Sequence, residues 1–343
     1  MRRMLSVAEA LRAKNATVRF VARRLDIELA PIVEKQGFSL SLLPPPISGF
    51  EGDGAIPHSQ WAGVPQELDA EQTIAELRRQ DPIEVMIVDH YSFAADWHVL
   101  VADALRVPVM VIDDLADRPI AGRWLVDHNY HPDHAAKYAG LLQGETAMLA
   151  GPAYAMLSER YARAHRYQYH REVCSIGIFL GGVDLPGDNL KVLEALEAIG
   201  WAGPAEIVTT GANPALAELA AACEARAATK LSLDLPDLLE FFASHDLQIG
   251  AGGGSIWERC CIGAPTVTLI CAENQRLSVP YLDDIGVVAG YDMLSAGSSA
   301  QGLANLIQAI IANADRRAAM HEKGMVLVDG LGAARIAAAL TER

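Results

Sequence analysis

The residues of this chain best suited to chemistry lie in one stretch, 249–275, reading IGAGGGSIWERCCIGAPTVTLICAENQ. Gly250, Gly252, Gly253 and Gly254 remove side chains where a strand must turn sharply, and Ser255 is placed to cap the helix that Ile256, Trp257, Glu258 and Arg259 open. A helix start offers free N–H groups and the positive end of a dipole, so a diphosphate is the ligand such a turn would grip. The plainer reading of the same glycines is close backbone packing, and the run alone does not separate the two. Glu258 has its own plain reading, a carboxylate favoured by the dipole in a first helical turn. Asn274 and Gln275 follow a buried strand, where either could make a local side-chain bond and Gln275 could cap the next helix.

A second group of polar residues sits at strand ends in the first half. Tyr91 follows the apolar run 85–88, as a ligand contact or as a packed aromatic, and its neighbour His90 reads as a hydrogen-bonded structural residue. Asp113 and Asp114 follow the run 109–112. Close carboxylates can divide acid and base roles, yet adjacent residues of an extended chain point to opposite faces, so one is expected to face the ligand and the other to cap the next turn. Asp127, His128, His131, Asp133 and His134 resemble a metal cluster only superficially. Pro132 interrupts any helix through them and the two-histidine spacing of a hydrolytic zinc site is not met, so they read as a solvated loop. No Asp-x-Asp pair is present and no metal is expected, since the amides of the glycine turn can bear the charge of a diphosphate. Cys260 and Cys261 have no sequence-adjacent histidine and read as packing residues.

The elements that would position these groups alternate. A helix runs from the opening residues, with Met4, Leu5, Val7, Ala8 and Leu11 on one face. Strands are expected at 17–21, 39–43, 85–89 and 109–112, with helices at 27–36, 69–79 and 94–105 between them. After an aromatic and basic segment at 154–172, which includes His165, Arg166, Tyr167, Tyr169 and His170, strands follow at 175–179, 206–209, 231–233, 247–249 and 266–270. Helices are expected at 189–198, 214–227, 237–243, 256–262, 276–285, 302–314 and 333–340. Strands apolar along their whole length indicate parallel sheets covered on both faces. The fold class is therefore α/β, with two doubly wound Rossmann-like domains facing a cleft. Ligands in such sheets bind at the carboxyl ends of strands, where the loops just described lie. The expected domains are 1–150, a linker helix at 151–172, and 173–343.

Bulk properties agree with a two-domain globular chain. There are 343 residues, more than one core usually spans, with 51% apolar and 21% charged residues. A formal net charge of −15 argues against a nucleic-acid partner. The cysteines are odd in number and lack CxxC spacing, which suits reduced thiols and a cytoplasmic setting. No uninterrupted apolar run is long enough to be read as a membrane span. A monomer or weak homo-oligomer without cofactors is expected.

The motifs RMLSVAEAL (3–11), VDHY (88–91), VIDDLADRP (111–119), GPAYAML (151–157), LGGVD (180–184), IGAGGGSIWERCCIGAP (249–265) and AENQR (272–276), in this order, resemble the nucleotide-sugar hydrolases of pseudaminic acid biosynthesis. The resemblance runs to about residue 287 and implies a GT-B-like fold and metal-independent release of UDP from UDP-2,4-diacetamido-2,4,6-trideoxy-β-L-altropyranose, by water attack at the anomeric carbon. It implies catalytic roles for Tyr91 and Asn274 near the sugar, and UDP or substrate contacts for Gly181, Gly182, Gly252, Gly253, Gly254, Ser255, Glu258, Gln275 and Asp113. Family members begin with a strand and a Gly-x-Gly-His turn before the arginine that aligns with Arg3, so their water-activating histidine would fall upstream of Met1. Either the start lies too far downstream or the protein lacks that strand and base; the hole a missing strand would leave in a parallel sheet favours the first. The alternatives are a GT-B glycosyltransferase using a UDP-sugar and a non-catalytic nucleotide-sugar binder.

Overall fold

Short aliphatic runs bounded by Gly, Pro and Asp make the strands of this protein, and amphipathic stretches between them make its helices. The computed structural model describes residues 1–24, 29–163, 167–184 and 186–342. The start of the helix expected at 27–36, and His165 and Arg166, lie outside the described residues. The chain divides into two units, Met1–Ser158 with Leu331–Arg343, and Glu159–Gly330.

The first unit opens with α1 (Arg2–Ala13), which buries Leu5, Val7, Ala8 and Leu11 on one face. There follow β1 (Arg19–Arg23), α2 (Ala30–Glu34), β2 (Ser39–Leu43), α3 (Gln66–Leu77), β3 (Met86–Val88), α4 (Ala95–Leu105) and β4 (Val109–Ile112). Then come β5 (Ile120–Ala121), β6 (Trp124–Asp127), α5 (His134–Lys137), β7 (Leu142–Gln143) and β8 (Ala147–Ala150). β1 and β2 pair in parallel by themselves, and β3, β4, β6 and β8 form a parallel sheet in that order. All four residues of β4 are buried, which explains the unbroken apolar run VMVI. Burial of each of these side chains contributes roughly 1.5–3 kcal/mol. The strands between 120 and 150 were not expected. They are two to four residues long, and β6 runs straight into the polar cluster that begins at Asp127.

The second unit runs α6 (Glu159–Arg163), β9 (Ile176–Phe179), α7 (Asp188–Ala198), β10 (Ala205–Thr209), α8 (Leu216–Glu224), β11 (Thr229–Leu233) and α9 (Leu239–Ala243). It continues with β12 (Leu247–Ala251), α10 (Ser255–Ile262), β13 (Thr266–Ile270), α11 (Val279–Asp284), β14 (Ala289–Asp292), α12 (Ala300–Ala312) and α13 (Ala314–Leu327). Its six strands are all parallel, in the order β11-β10-β9-β12-β13-β14. The first strand is thus central and the order is that of a doubly wound sheet. Ile178, Ile207, Ile249, Val267 and Leu269 carry the core between the sheet and its helices. β14 and α13 were not expected, and the helix expected at 276–285 is a 3-10 turn, Glu273–Leu277, followed by α11.

Two boundary expectations are corrected. The segment 151–172 is not a linker helix: its described residues hold a 3-10 turn, Pro152–Tyr154, and the five-residue α6. The terminal helix α14 (Gly332–Thr341), expected in the second domain, belongs to the first unit, where Ile336 and Ala337 pack into one cluster with Val7 and Leu11 of α1. Residues 314–341 are apolar enough by composition to span a membrane. They are divided, however, into α13 of 14 residues and α14 of 10, neither long enough by itself, and the two fall in different units.

Candidate functional site

In the second unit the glycine stretch turns from β12 into α10 as its residues dictate. The Gly252 amide donates to the Leu269 carbonyl at 2.9 Å, and the amides of Ile256 and Trp257 return to the carbonyls of Gly253 and Gly254 at 2.9 and 3.2 Å. The amides between them, of Gly253, Gly254 and Ser255, are those a helix start leaves without an intrahelical acceptor. The glycines divide by cause. A Cβ on Gly250 would stand 2.3 Å from Arg259 Nη1 and one on Gly252 2.5 Å from Val279 Cγ2, so packing alone explains both. A Cβ on Gly254 would meet nothing within 4 Å, and Gly254 has an ordinary helical φ of −53°, so neither packing nor backbone strain accounts for it. What the bare residue keeps open is access to the amides.

Ser255 was expected to cap α10, and the structure corrects this. Gly254 is the N-cap and makes no side-chain capping bond. Ser255 is the first helical residue and its hydroxyl accepts from Arg259 Nη1 at 3.0 Å. Arg259 was read from sequence only as an opening residue of the helix. It is fully buried, with Nη2 donating to the Ala251 carbonyl at 2.8 Å and its guanidinium 5.6 Å from the Phe242 ring centre. Its hydrogen bonds go to a carbonyl and a hydroxyl rather than to a carboxylate, and its Nε has no hydrogen-bond partner among the described residues. Burial presses it down to about 10. A cation short of counter-charge, bonded to the first residue of α10, adds to the dipole in favouring an anion there.

The other expected residues of this unit lie at the carboxyl ends of β9, β12 and β13, which are neighbours in the sheet. Gln275 Oε1 accepts from the Cys271 amide at 2.9 Å, and Nε2 lies 3.9 Å from where a Gly253 Cβ would be, so Gln275 borders the glycine turn. Asn274 is exposed in the adjoining 3-10 turn and Glu258 half-buried in the first turn of α10. Gly181 has a φ of +100°, which favours glycine. The carbonyl of Gly182 accepts from Thr209 Oγ1, Thr210 Oγ1 and the Thr210 amide at 3.1, 2.7 and 3.1 Å, fixing the turn after β9. Asp184 then takes the amides of Asp188 and Asn189 at 2.9 and 3.0 Å, starting α7.

In the first unit the carboxyl ends of β3, β4 and β6 gather a charged cluster. Tyr91 donates its hydroxyl to Asp114 Oδ1 at 2.6 Å. Arg3, from α1, pairs with Asp89 through Nε at 3.0 Å, and reaches Asp114 through Nη1 at 3.7 Å and the Tyr91 hydroxyl through Nη2 at 3.4 Å. His128 Nε2 and Asn129 Nδ2 stand 3.6 and 3.2 Å from Asp114 Oδ2. Burial opposes the charge on Asp114, but His128, Arg3 and Tyr91 outweigh it and hold the carboxyl well below the usual range. Burial, reinforced by Asp114, pushes Tyr91 upward, so it stays a neutral phenol and a donor. Above it His58 and Trp61 stack at 4.3 Å between ring centres, each edge-on to Tyr91 at 6.4 and 6.2 Å.

Asp113 is corrected as a ligand contact. It is completely buried, ion-paired with Arg118 at 2.7 Å and bonded to the Tyr138 hydroxyl and the Ala116 amide at 3.0 and 2.9 Å. It caps the turn, as one of the two neighbours had to, and Asp114 is the member left for the cluster. Nor are Asp127 and His128 a solvated loop: both are buried, and Asp127 takes Lys137 Nζ at 2.6 Å. His90 stacks on Phe93 at 4.5 Å and accepts from the Ser92 amide, a hydrogen-bonded residue at a strand end. Burial lowers its pKa. His58 and Trp61 were missed in the sequence: His58 precedes and Trp61 lies in a four-residue 3-10 turn, Ser59–Ala62, set in a segment rich in Gly and Pro and too short to carry a periodic signal.

No protein-family profile matches the chain. Among solved structures, MurG of Acinetobacter baumannii superposes with a TM-score of 0.66 at 13% identity, covering 99% of this chain and 95% of that one. Os79 of O. sativa in complex with UDP superposes at 0.70, also at 13% identity, covering 99% and 97%. The fold is GT-B-like α/β. In sequence, the spore coat polysaccharide biosynthesis protein SpsG of Bacillus subtilis is 27% identical over 205 residues, 59% of this chain and 60% of that protein. The UDP-2,4-diacetamido-2,4,6-trideoxy-beta-L-altropyranose hydrolase of Campylobacter jejuni is 21% identical over 227 residues, 66% and 81% of the two chains. The chain thus spans 60% of the length of the first relative.

Proposed function

We propose that the protein is an enzyme acting on nucleotide sugars, and that it releases UDP from UDP-2,4-diacetamido-2,4,6-trideoxy-β-L-altropyranose by hydrolysis. The observation that carries the reading is the buried Arg259, without a carboxylate in its hydrogen bonds, bonded to the Ser255 hydroxyl at the start of the helix that the glycine turn opens. That arrangement suits a diphosphate whose negative charge grows as it leaves. The relative from Campylobacter jejuni, named for this hydrolysis, supports the choice of substrate. In this reading the second unit holds UDP, with Glu258 toward the ribose, Gln275 closing the turn and Asn274 toward the sugar, and Tyr91 of the first unit is the further residue assigned to catalysis. Water attacks the anomeric carbon, the bond to the diphosphate oxygen breaks, and its electron pair leaves with UDP.

A glycosyltransferase of the same fold is the second reading. It is favoured by the stacked pair His58 and Trp61, the latter 51% exposed, which offers an apolar surface to an acceptor beside Tyr91. The deciding assay follows UDP and free sugar from the nucleotide sugar in water, with and without added acceptor alcohols, for this chain and for one extended upstream in frame. Equal UDP and free sugar without acceptor is the expected result. UDP binding with no release in water by either chain overturns the hydrolase.

A further inference from the structure

We infer that Arg276 is a positioning residue for the diphosphate site of the second unit: clamped to Asp292, it holds the 3-10 turn that carries Asn274 and Gln275 in place beside the glycine turn. The inference rests on the reading that this unit holds UDP, and it adds the residue that sets where Gln275 stands.

The segment after β13 has no core of its own. None of the residues 271–277 is buried, whereas Ile270 before them and Ser278 and Val279 after them are. No side chain caps the 3-10 turn at its start. Apolar burial therefore fixes the two ends of the segment and leaves its middle to polar contacts. That middle borders the ligand site: a Cβ on Gly252 would stand 3.3 Å from Gln275 Oε1.

Gln275 has one orientation there. Its Oε1 accepts from the Cys271 amide at 2.9 Å, and because a backbone N–H only donates, the side-chain amide cannot be turned over. This is the single side-chain hydrogen bond of Gln275 among the described residues, and it leaves both Nε2 hydrogens for a ligand. Nε2 lies 3.9 Å from the place of a Gly253 Cβ, so an anion on the free amides of the turn is a matching acceptor.

Arg276 joins this turn to the next strand. Its Nε and Nη2 donate to Asp292 Oδ2 at 3.0 and 2.9 Å, and its Nη1 donates to both carboxylate oxygens of Glu273 at 2.8 Å. Glu273 belongs to the turn itself, so that pair stiffens the turn without anchoring it. Asp292 is the anchor. It ends β14, in register with Ile270 of β13, and its Oδ1 accepts from the Leu294 amide at 2.9 Å. Exposed ion pairs contribute little to stability, yet a planar guanidinium gripped by two carboxylates fixes a geometry. Cutting the tie lets Gln275 sample other positions, at a cost in affinity rather than in folding.

The test is calorimetry of UDP binding by the full chain, for wild type, Arg276→Gln and Asp292→Asn. Both variants are expected to raise the dissociation constant about fivefold and to melt within about 2 °C of wild type. Asp292→Asn is the decisive one. It removes a negative charge near an anion site and keeps the charge of Arg276, so a plain charge role for Arg276 predicts unchanged or tighter binding, and a positioning role predicts weaker binding. Asparagine retains the carbonyl oxygen that the Leu294 amide needs. In a Gln275→Ala background, Asp292→Asn is expected to change affinity by less than about twofold, because Arg276 acts through Gln275. The amides of Gln275 and Ser278, bonded to the carbonyls of Ala272 and Gln275 at 3.0 and 3.3 Å, are expected to exchange severalfold faster in both variants. Binding that Asp292→Asn leaves unchanged or tightens overturns the inference, as does a fivefold loss that persists without Gln275. UDP binding absent from wild type as well overturns the reading of the second unit and the inference with it. Should Arg276→Gln fail to fold, Asp292→Asn carries the test alone.

Discussion

Replacing Arg259 with methionine separates a ligand-binding role from a packing role. The guanidinium is fully buried and held near 10 rather than its ordinary 12.5, so keeping it charged costs the fold about 3 kcal/mol. The sign is that of a depressed base: the penalty is present at neutral pH and disappears only above the folded pKa. Methionine removes that penalty together with the bonds to Ala251 and Ser255, which contribute roughly 1–3 kcal/mol in sum. The two terms nearly cancel, and the melting temperature is expected to stay within a few degrees of wild type. Ligand affinity has no such compensation. A phosphate on the Ser255 amide would lie roughly 7 Å from the guanidinium, and at an effective dielectric of about 20 each unit of charge there gains about 2 kcal/mol. The dissociation constant for UDP, measured by calorimetry, is expected to rise about 30-fold. A variant that binds UDP within about twofold of wild type while melting far lower would show that Arg259 only packs the turn, and the argument for a diphosphate site would fall with it.

Alanine at two glycines divides packing from access: Gly250→Ala is expected to lower the melting temperature by several degrees, because its Cβ collides with Arg259. Gly254→Ala is expected to melt as wild type and bind UDP more weakly, which parallel melting and binding curves would check. Tyr91→Phe removes the 2.6 Å bond to Asp114 and is expected to lower kcat about tenfold with KM little changed, read from steady-state UDP release. Asp114→Asn is expected to lower stability at pH 7. Because the folded carboxyl titrates below its unfolded value, the stability it contributes is present above the unfolded pKa and lost as pH falls. The gap in melting temperature should therefore close below about pH 4.

The parts legible from sequence were those whose pattern is set by local burial. The strands Ser39–Leu43, Val109–Ile112 and Thr266–Ile270 were read to the residue, because VMVI is apolar throughout, SLSLL alternates, TVTLI is rich in β-branched residues, and Pro, Asp or Cys follows each. β14, reading AGYD, carries no such run and owes its state to pairing with β13. Which of Asp113 and Asp114 is structural could not be read from two identical neighbours; Arg118, reaching back to Asp113, decides it. Arg259 escaped notice for a different reason. An arginine between glutamate and cysteine on a helix is ordinarily solvated, and only the packing of α10 against β12 and α9 encloses this one.

The placement of α14 bears on how the chain is made. The second unit is one continuous segment, whereas the first is finished only when residues 331–343 rejoin it. Between the last residue of its first segment and the first of its second, 172 residues must be synthesised, which at about 5–20 residues per second takes roughly 10–30 s. Throughout that interval the face of α1 carrying Val7 and Leu11 lacks Ile336 and Ala337, its partners in the folded protein. The amino-terminal unit is thus the later of the two to close, and a nascent chain on the ribosome holds a complete second unit before it holds a complete first.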